Sequence, residues 1–284
     1  MTSTDPQHGL FPALLKHWRR QRGLSQLDLA LASDVSARHI SFLETGRSSP
    51  SPGMILRLTS ALGVPLRHVN AMLQAAGHRP AFEESAEALP AAVTQALALL
   101  KAHQEPYPLI VLDQVYRIRD LNRGALALLD ATLPRSLPPG VDAATLARLD
   151  LNLARWTFDP DGAQPSLVNF HEIGRALLWR IQREVMENPG DEALRRLLDE
   201  LLEMPTVDPG WRDVDLSVPS EPVLVVHLRR GSLDLRFITM VTAFQAPQNV
   251  AAGELRVELW FPRDDATAEV MRGFARSSPA EQGR

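Results

Sequence analysis

Between positions 10 and 76 apolar residues recur at helical spacing in short bursts, separated by turn residues. Leu14, Leu15 and Trp18 share one face of a first helix, Leu10 to Arg22, which Gly23 ends. Leu29 and Ala30, then Val35, Ile40 and Leu43, mark two further short helices within Ser25 to Arg47. Ser25 is placed as an N-cap with Asp28 three residues on, an acidic form of the capping box. Ser36 caps the second helix and Gly46 closes it. Pro52 suits the first position of a fourth helix, 52–62, with Ile55, Leu56, Leu58 and Leu62 inward. A fifth helix, from about Pro65 to Ala76, turns Leu66, Val69 and Leu73 inward.

The pattern then changes. Glu83 to Glu87 is an acidic, Ala-rich hinge, and 90–103 is a connecting helix with Val93, Leu97, Leu99 and Leu100, able to pair with its counterpart in a dimer. Leu109 to Asp113 and Val115 to Arg119 alternate as two strands of a hairpin. Asn122 to Asp130 is a helix, and the Pro-rich loop 133–140 follows. Three helices, roughly 142–156, 166–187 and 191–203, precede three strands, Val223 to Arg230, Leu233 to Phe244 and Glu254 to Phe261. A closing helix spans Asp264 to Ala275. Two strands, a run of helices and three strands predict an α+β domain: a five-stranded antiparallel sheet with helices on one face. The expected divisions are 1–80, a hinge and helix at 81–104, the α+β domain at 105–276, and a disordered tail at 277–284.

Within the all-α half, the pair of short helices in Ser25 to Arg47 is a helix-turn-helix, whose second helix enters the DNA major groove. With Ile40 and Leu43 inward, Ala37, Arg38, His39, Ser41 and Phe42 stay outside. Arg38 can present a bidentate fork to guanine, and Ala37 and Phe42 can meet a thymine methyl. Phe42 reads equally as packing against the fourth helix. Ser25, Gln26, Ser41, Thr45 and Arg47 are phosphate candidates. Charge agrees with this assignment. The net charge of −4 divides into +5 for residues 1–80 and −9 for the remainder. One such module contacts too little DNA for tight specific binding, so a homodimer on two half-sites is expected.

The strings Leu24-Ser25-Gln26, Val35-Ser36, Ile40-Ser41 and Leu43-Glu44-Thr45-Gly46-Arg47 resemble the lambda-repressor-like (Cro, or XRE) DNA-binding family. One position departs: the family usually has Gly in the turn where this chain has Asp34, a residue that tolerates left-handed backbone. An acid beside DNA is repulsive, and the resemblance implies a structural role for Glu44, paired with Arg19. The longer strings ARHISFLETGRSSPS, MILRLTSALGVPLR and LQAAGHRPAF resemble the MmyB-like transcription regulators. That resemblance returns at HQEPYPLIVLD, at Phe158 to Gly162 with Val168-Asn169-Phe170, and at LRFITMVTAF. It implies a lambda-repressor-like domain joined to a PAS-like ligand-binding domain that senses small, fatty-acid-like molecules.

In the C-terminal half, polar residues lie among aromatics: Arg155-Trp156, Asn169-Phe170, Trp179-Arg180, Arg236-Phe237 and Trp260. An apolar cavity with a few polar anchors has this composition, and so has a packed core with snorkelling arginines. The resemblance favours the cavity, with Arg155, Trp156, Asn169, Phe170, Trp179, Arg180, Phe237 and Trp260 on its wall. Arg236 is expected to face solvent beside inward Phe237.

Catalytic patterns are missing. No cysteine occurs, no histidine pair has metal spacing, and no G-x-S-x-G or phosphate loop is found. His171-Glu172 lacks a second His, and a turn explains Asp159 and Asp161 as well as calcium would. No catalytic or metal residue is therefore assigned. No cofactor is expected beyond a bound apolar ligand, and no membrane partner: no apolar run is long enough to span a bilayer. The expectation is a cytoplasmic regulator that binds double-stranded DNA and responds to a small apolar molecule. The alternatives are a regulator whose C-terminal domain recruits a protein instead, and an enzyme on the same scaffold.

Overall fold

The computed structural model describes residues 10–82, 89–132, 145, 151–187, 191–212, 224–244 and 249–277. The expected hinge 83–87, the loop 133–140 and most of the expected 142–156 helix lie outside these. Two compact units are present, residues 1–90 with 245–253, and residues 91–244 with 254–284.

The first unit contains helices α1 (Leu10–Gln21), α2 (Gln26–Ser33), α3 (Ala37–Glu44), α4 (Pro52–Ala61) and α5 (Leu66–Ala75). Side-chain caps set the starts. The Ser25 hydroxyl accepts from Asp28 N–H while the Asp28 carboxylate accepts from Ser25 N–H, so two otherwise unpaired donors are satisfied at once. Ser36 caps α3 through His39 N–H, and Ser51 caps α4 through Met54 N–H. Asp34, in the turn between α2 and α3, has φ 51° and ψ 47°, a left-handed conformation that Asp adopts at small cost. Leu15, Leu29, Ile40, Leu43, Ile55, Leu58 and Met72 are fully buried and form one core with Trp18 and Phe11. Leu56, expected inward, is 37% exposed, because Ile55 and Leu58 occupy the inward face and Leu56 points away from it.

The second unit holds α6 (Ala91–Gln104), β1 (Leu109–Leu112), β2 (Ile118–Leu121), α7 (Arg123–Thr132) and α8 (Leu153–Phe158). These are followed by α9 (Phe170–Glu187), α10 (Glu192–Leu202), β3 (Leu224–Arg230) and β4 (Leu233–Ala243). After the short α11 (Val250–Gly253), which packs on α5 in the first unit, come β5 (Arg256–Pro262) and α12 (Asp265–Ser277). The sheet is antiparallel, in the order β2-β1-β5-β4-β3.

β2 begins three residues later than the alternation suggests. The Asp113 carboxylate accepts from the backbone N–H of both Val115 and Arg117, and Tyr116 takes φ 64°. Val115 and Tyr116 therefore form a tight turn whose side chains enter the core. In α6 only Leu97 is buried, and Leu99 and Leu100 are 55% and 36% exposed.

Candidate functional site

In the first unit the outer side of α3 is fixed by its underside. Arg19 of α1 reaches Glu44, the last residue of α3, with Nε to Oε1 at 2.5 Å and Nη2 to Oε2 at 2.9 Å. Their side chains are 10% and 3% exposed. Gln26 Nε2 donates to the same carboxylate at 2.8 Å, and Arg19 Nη1 donates to Leu24 O at 2.7 Å. Glu44 thus ties α1 and the start of α2 to the end of α3. Burial works against its charge, but Arg19 and Gln26 outweigh burial and hold its pKa below the usual carboxylate range.

Several groups expected at phosphates have intramolecular partners. Gln26 holds Glu44, Ser25 caps α2, and the Thr45 hydroxyl donates to Ser41 O at 2.8 Å. Ala37 packs against the core. Arg38 and Arg47 are exposed, with His39 and Ser41 half-buried. Phe42, also half-buried, carries the Arg38 guanidinium 5.3 Å from its ring centroid. Stacking of this kind restricts the arginine before any DNA arrives.

In the second unit a cavity of about 600 Å³ lies between the sheet and the helices α7, α8 and α9. Such volumes are typical of small-molecule sites. Its body is apolar: Ile110, Leu112, Leu128, Leu153, Leu177, Val226 and Trp260 are among its walls. Trp156, the aromatic that α8 contributes, is positioned by the turn after it. A Cβ on Gly162 would lie 2.4 Å from Trp156 Cδ1 and 2.6 Å from its carbonyl oxygen, so only glycine lets the turn close there.

One part of the wall is charged. Arg256 Nη1 donates to Glu184 Oε1 at 2.7 Å, and the buried Tyr116 hydroxyl donates to the same carboxylate at 3.1 and 3.2 Å. The Arg256 guanidinium lies 5.1 Å from the Tyr116 ring centroid. Burial first, then the Glu184 charge, push the Tyr116 phenol above its ordinary range. The three groups satisfy one another's hydrogen bonds. Arg180 and Glu258 complete this part of the wall. Neither side chain makes a hydrogen bond or ion pair with another described residue.

Of the eight residues expected on the wall, Trp156, Arg180 and Trp260 line the cavity and five do not. Arg155 turns outward to Glu200 at 2.6 Å. Asn169 is spent on the backbone of β3, donating to Val225 O and accepting from His227 N–H. Phe170 fills the core against Phe158 and Trp211. Trp179 lies under Arg175, and Phe237 is fully buried behind Trp260. Large aromatics are good fillers, and a filled volume is not a cavity. Arg236 pairs with Asp234 at 3.0 Å and with Asp264 at 3.7 Å, on the outside. Tyr116, Glu184, Arg256 and Glu258 carry the site's polarity without having been singled out. Their signal in the sequence is Arg256-x-Glu258-x-Trp260, a charged alternation inside a strand.

Residues 93–273, more than half of the chain, match the family model described as the MmyB-like transcription regulator ligand binding domain. The chain belongs to the MmyB-like transcription regulators. A helix-turn-helix model matches residues 15–69. A curated relative from Bacillus subtilis (strain 168), the uncharacterized HTH-type transcriptional regulator RghRB, is 40% identical over 75 residues. Those residues are 26% of this chain and 52% of the relative, so the match spans about half the relative's length. The chain thus joins a helix-turn-helix unit to an MmyB-like ligand-binding domain. Among the described residues no cluster has the composition of a metal site, and no helix is long and apolar enough to cross a membrane.

Proposed function

We propose that this MmyB-like regulator is a cytoplasmic homodimer whose DNA binding responds to a long-chain acid held in the cavity of its PAS-like domain. One observation carries the ligand class. Arg180 is a guanidinium on the wall of a largely apolar cavity, and it has no ion pair among the described residues. A charge so placed is costly unless a ligand anion meets it. Of the three arginines that stand beside aromatics in the sequence, it alone faces inward. An apolar chain of fatty-acid type fills the body of the cavity, and its carboxylate meets Arg180.

On DNA, Arg38 is the base-reading residue, with His39 and Phe42 beside it, and Arg47 contacts phosphate. The dimer is supported by α6. Residues 91–100 contain no charge, and Leu99 and Leu100 are exposed, so two copies can approach without like-charge repulsion.

A thermal-shift assay on delipidated full-length protein tests the ligand. A ligand that binds only the folded state stabilises it by about 2.7 kcal/mol at a hundredfold excess over Kd. Some straight-chain acid between about twelve and eighteen carbons should raise the melting temperature, and Arg180→Gln should abolish the shift. If no chain length raises it and extracted protein yields no lipid, recruitment of a protein partner takes the ligand's place.

A further inference from the structure

The charged part of the cavity is a ladder with one rung closed and one open. On β5, Arg256, Glu258 and Trp260 alternate with Val257, Leu259 and Phe261, so the first three share the cavity face. On α9, Arg180, Glu184 and Glu187 recur at three- and four-residue spacing and share the facing side. Arg256 and Glu184 close their rung at 2.7 Å. Arg180 and Glu258 do not close theirs. The Arg180 charge acts on the Glu258 carboxyl, yet no side-chain hydrogen bond or ion pair joins them, and no other described residue bonds to either side chain.

Glu258 is half-buried on the cavity wall. Its neighbours in the sheet, Ile110 on β1 and Val241 on β4, are apolar. The titratable and charged groups on the wall with it are Tyr116, then Arg180, Glu184 and Glu187 of α9, and Arg256 of its own strand; Tyr116, Glu184 and Arg256 are bonded together, and Glu187 is engaged with a partner of its own. Among the described residues no histidine or lysine lines the cavity. Burial pushes the Glu258 carboxyl above its ordinary range, with Arg180 pulling the other way.

We infer that Glu258 is the second half of the head-group site: protonated, it donates a hydrogen bond to a ligand carboxylate that Arg180 holds from the other side. This rests on the reading of the cavity as an acid site. The charge balance favours it. Arg256 and Glu184 cancel, and Arg180 can cancel one further anion. An ionised Glu258 and a ligand carboxylate would be two anions on one guanidinium, which raises the affinity of the pair for a proton. The ligand enters as the carboxylate, no covalent bond changes, and the shared proton comes from solvent once the pH is high enough to strip Glu258 in the empty protein. A fatty acid thus binds together with a proton. Glu258 is a specificity residue, one that would repel the same acid if the site were ionised.

Titration calorimetry of dodecanoate into delipidated full-length protein, from about pH 6 to pH 10, tests this. Dodecanoate is ionised throughout that range. The wild type should lose at least about tenfold in affinity between pH 7 and pH 10, since one linked proton approaches tenfold per pH unit above the pKa of the empty site. Glu258→Gln cannot ionise and its amide can still donate a hydrogen bond, so its affinity profile over the same range should be flat. A flat wild-type profile, or a pH slope that survives in a Glu258→Gln protein of unchanged circular dichroism, would overturn the assignment while leaving the acid site standing. Loss of binding in that folded variant would do the same. If the wild type binds neither dodecanoate nor hexadecanoate at any pH, the acid-site reading falls and this assignment falls with it.

Discussion

Arg19 grips Glu44 with two hydrogen bonds, Nε to Oε1 and Nη2 to Oε2, so α1 of the helix-turn-helix unit sets the end of α3. Removing the acid leaves the Arg19 charge buried with only Leu24 O for company. Glu44→Ala should destabilise this unit by about 3 kcal/mol, the low end for breaking a buried pair. Amide hydrogen exchange in α1 to α3 of the full-length variant measures it; unchanged protection would show the pair to be dispensable. Because the folded pKa of Glu44 is depressed, its stabilisation is present above about pH 4.5 and is lost as the pH falls through the folded value. The same amides should lose protection on acidification, and less so in Glu44→Gln.

Glu258 has the opposite sign. Its folded pKa is raised, so its share of stability is intact below about pH 4.5 and is lost as the pH rises from there toward the folded pKa. Glu258→Gln should therefore melt higher than the wild type at pH 7 in ligand-free protein, and equally at pH 4. Calorimetric melting at the two values checks it; equal melting at pH 7 would mean that the buried carboxyl costs nothing.

Arg38 is exposed on α3 and stacked on Phe42. If it reads a guanine, Arg38→Ala should cost about 1–3 kcal/mol at one base position and relax specificity there. Titration of single-base variants of a selected DNA site tests it. Uniform weakening at every position would move Arg38 to the phosphate contacts.

The helix-turn-helix was legible because its signals are local. Ser25, Asp28, Ser36 and Gly46 each act on backbone within a few residues, and the apolar spacing of Leu29, Ile40 and Leu43 does the rest. β2 was misplaced by three residues because a single carboxylate, Asp113, turns the chain where alternation alone continues. The cavity was the least legible. Its polar wall joins positions 116, 180–184 and 256–258, which the sheet order and α9 bring together and which no local spacing announces. The size of Phe237 and Phe170, which makes them prominent in the sequence, is also what places them in the filled core.

The central claim is that a ligand in the cavity alters DNA binding. Affinity for a DNA site selected in vitro, measured at fixed salt with delipidated full-length protein, tests it most directly. Saturating acid of the best-bound chain length should change the DNA Kd by at least about fivefold in either direction, the lower bound of ordinary allosteric coupling. Arg180→Gln should bind the same DNA and show no such change. An identical DNA Kd with and without the bound acid in the wild type would contradict the account.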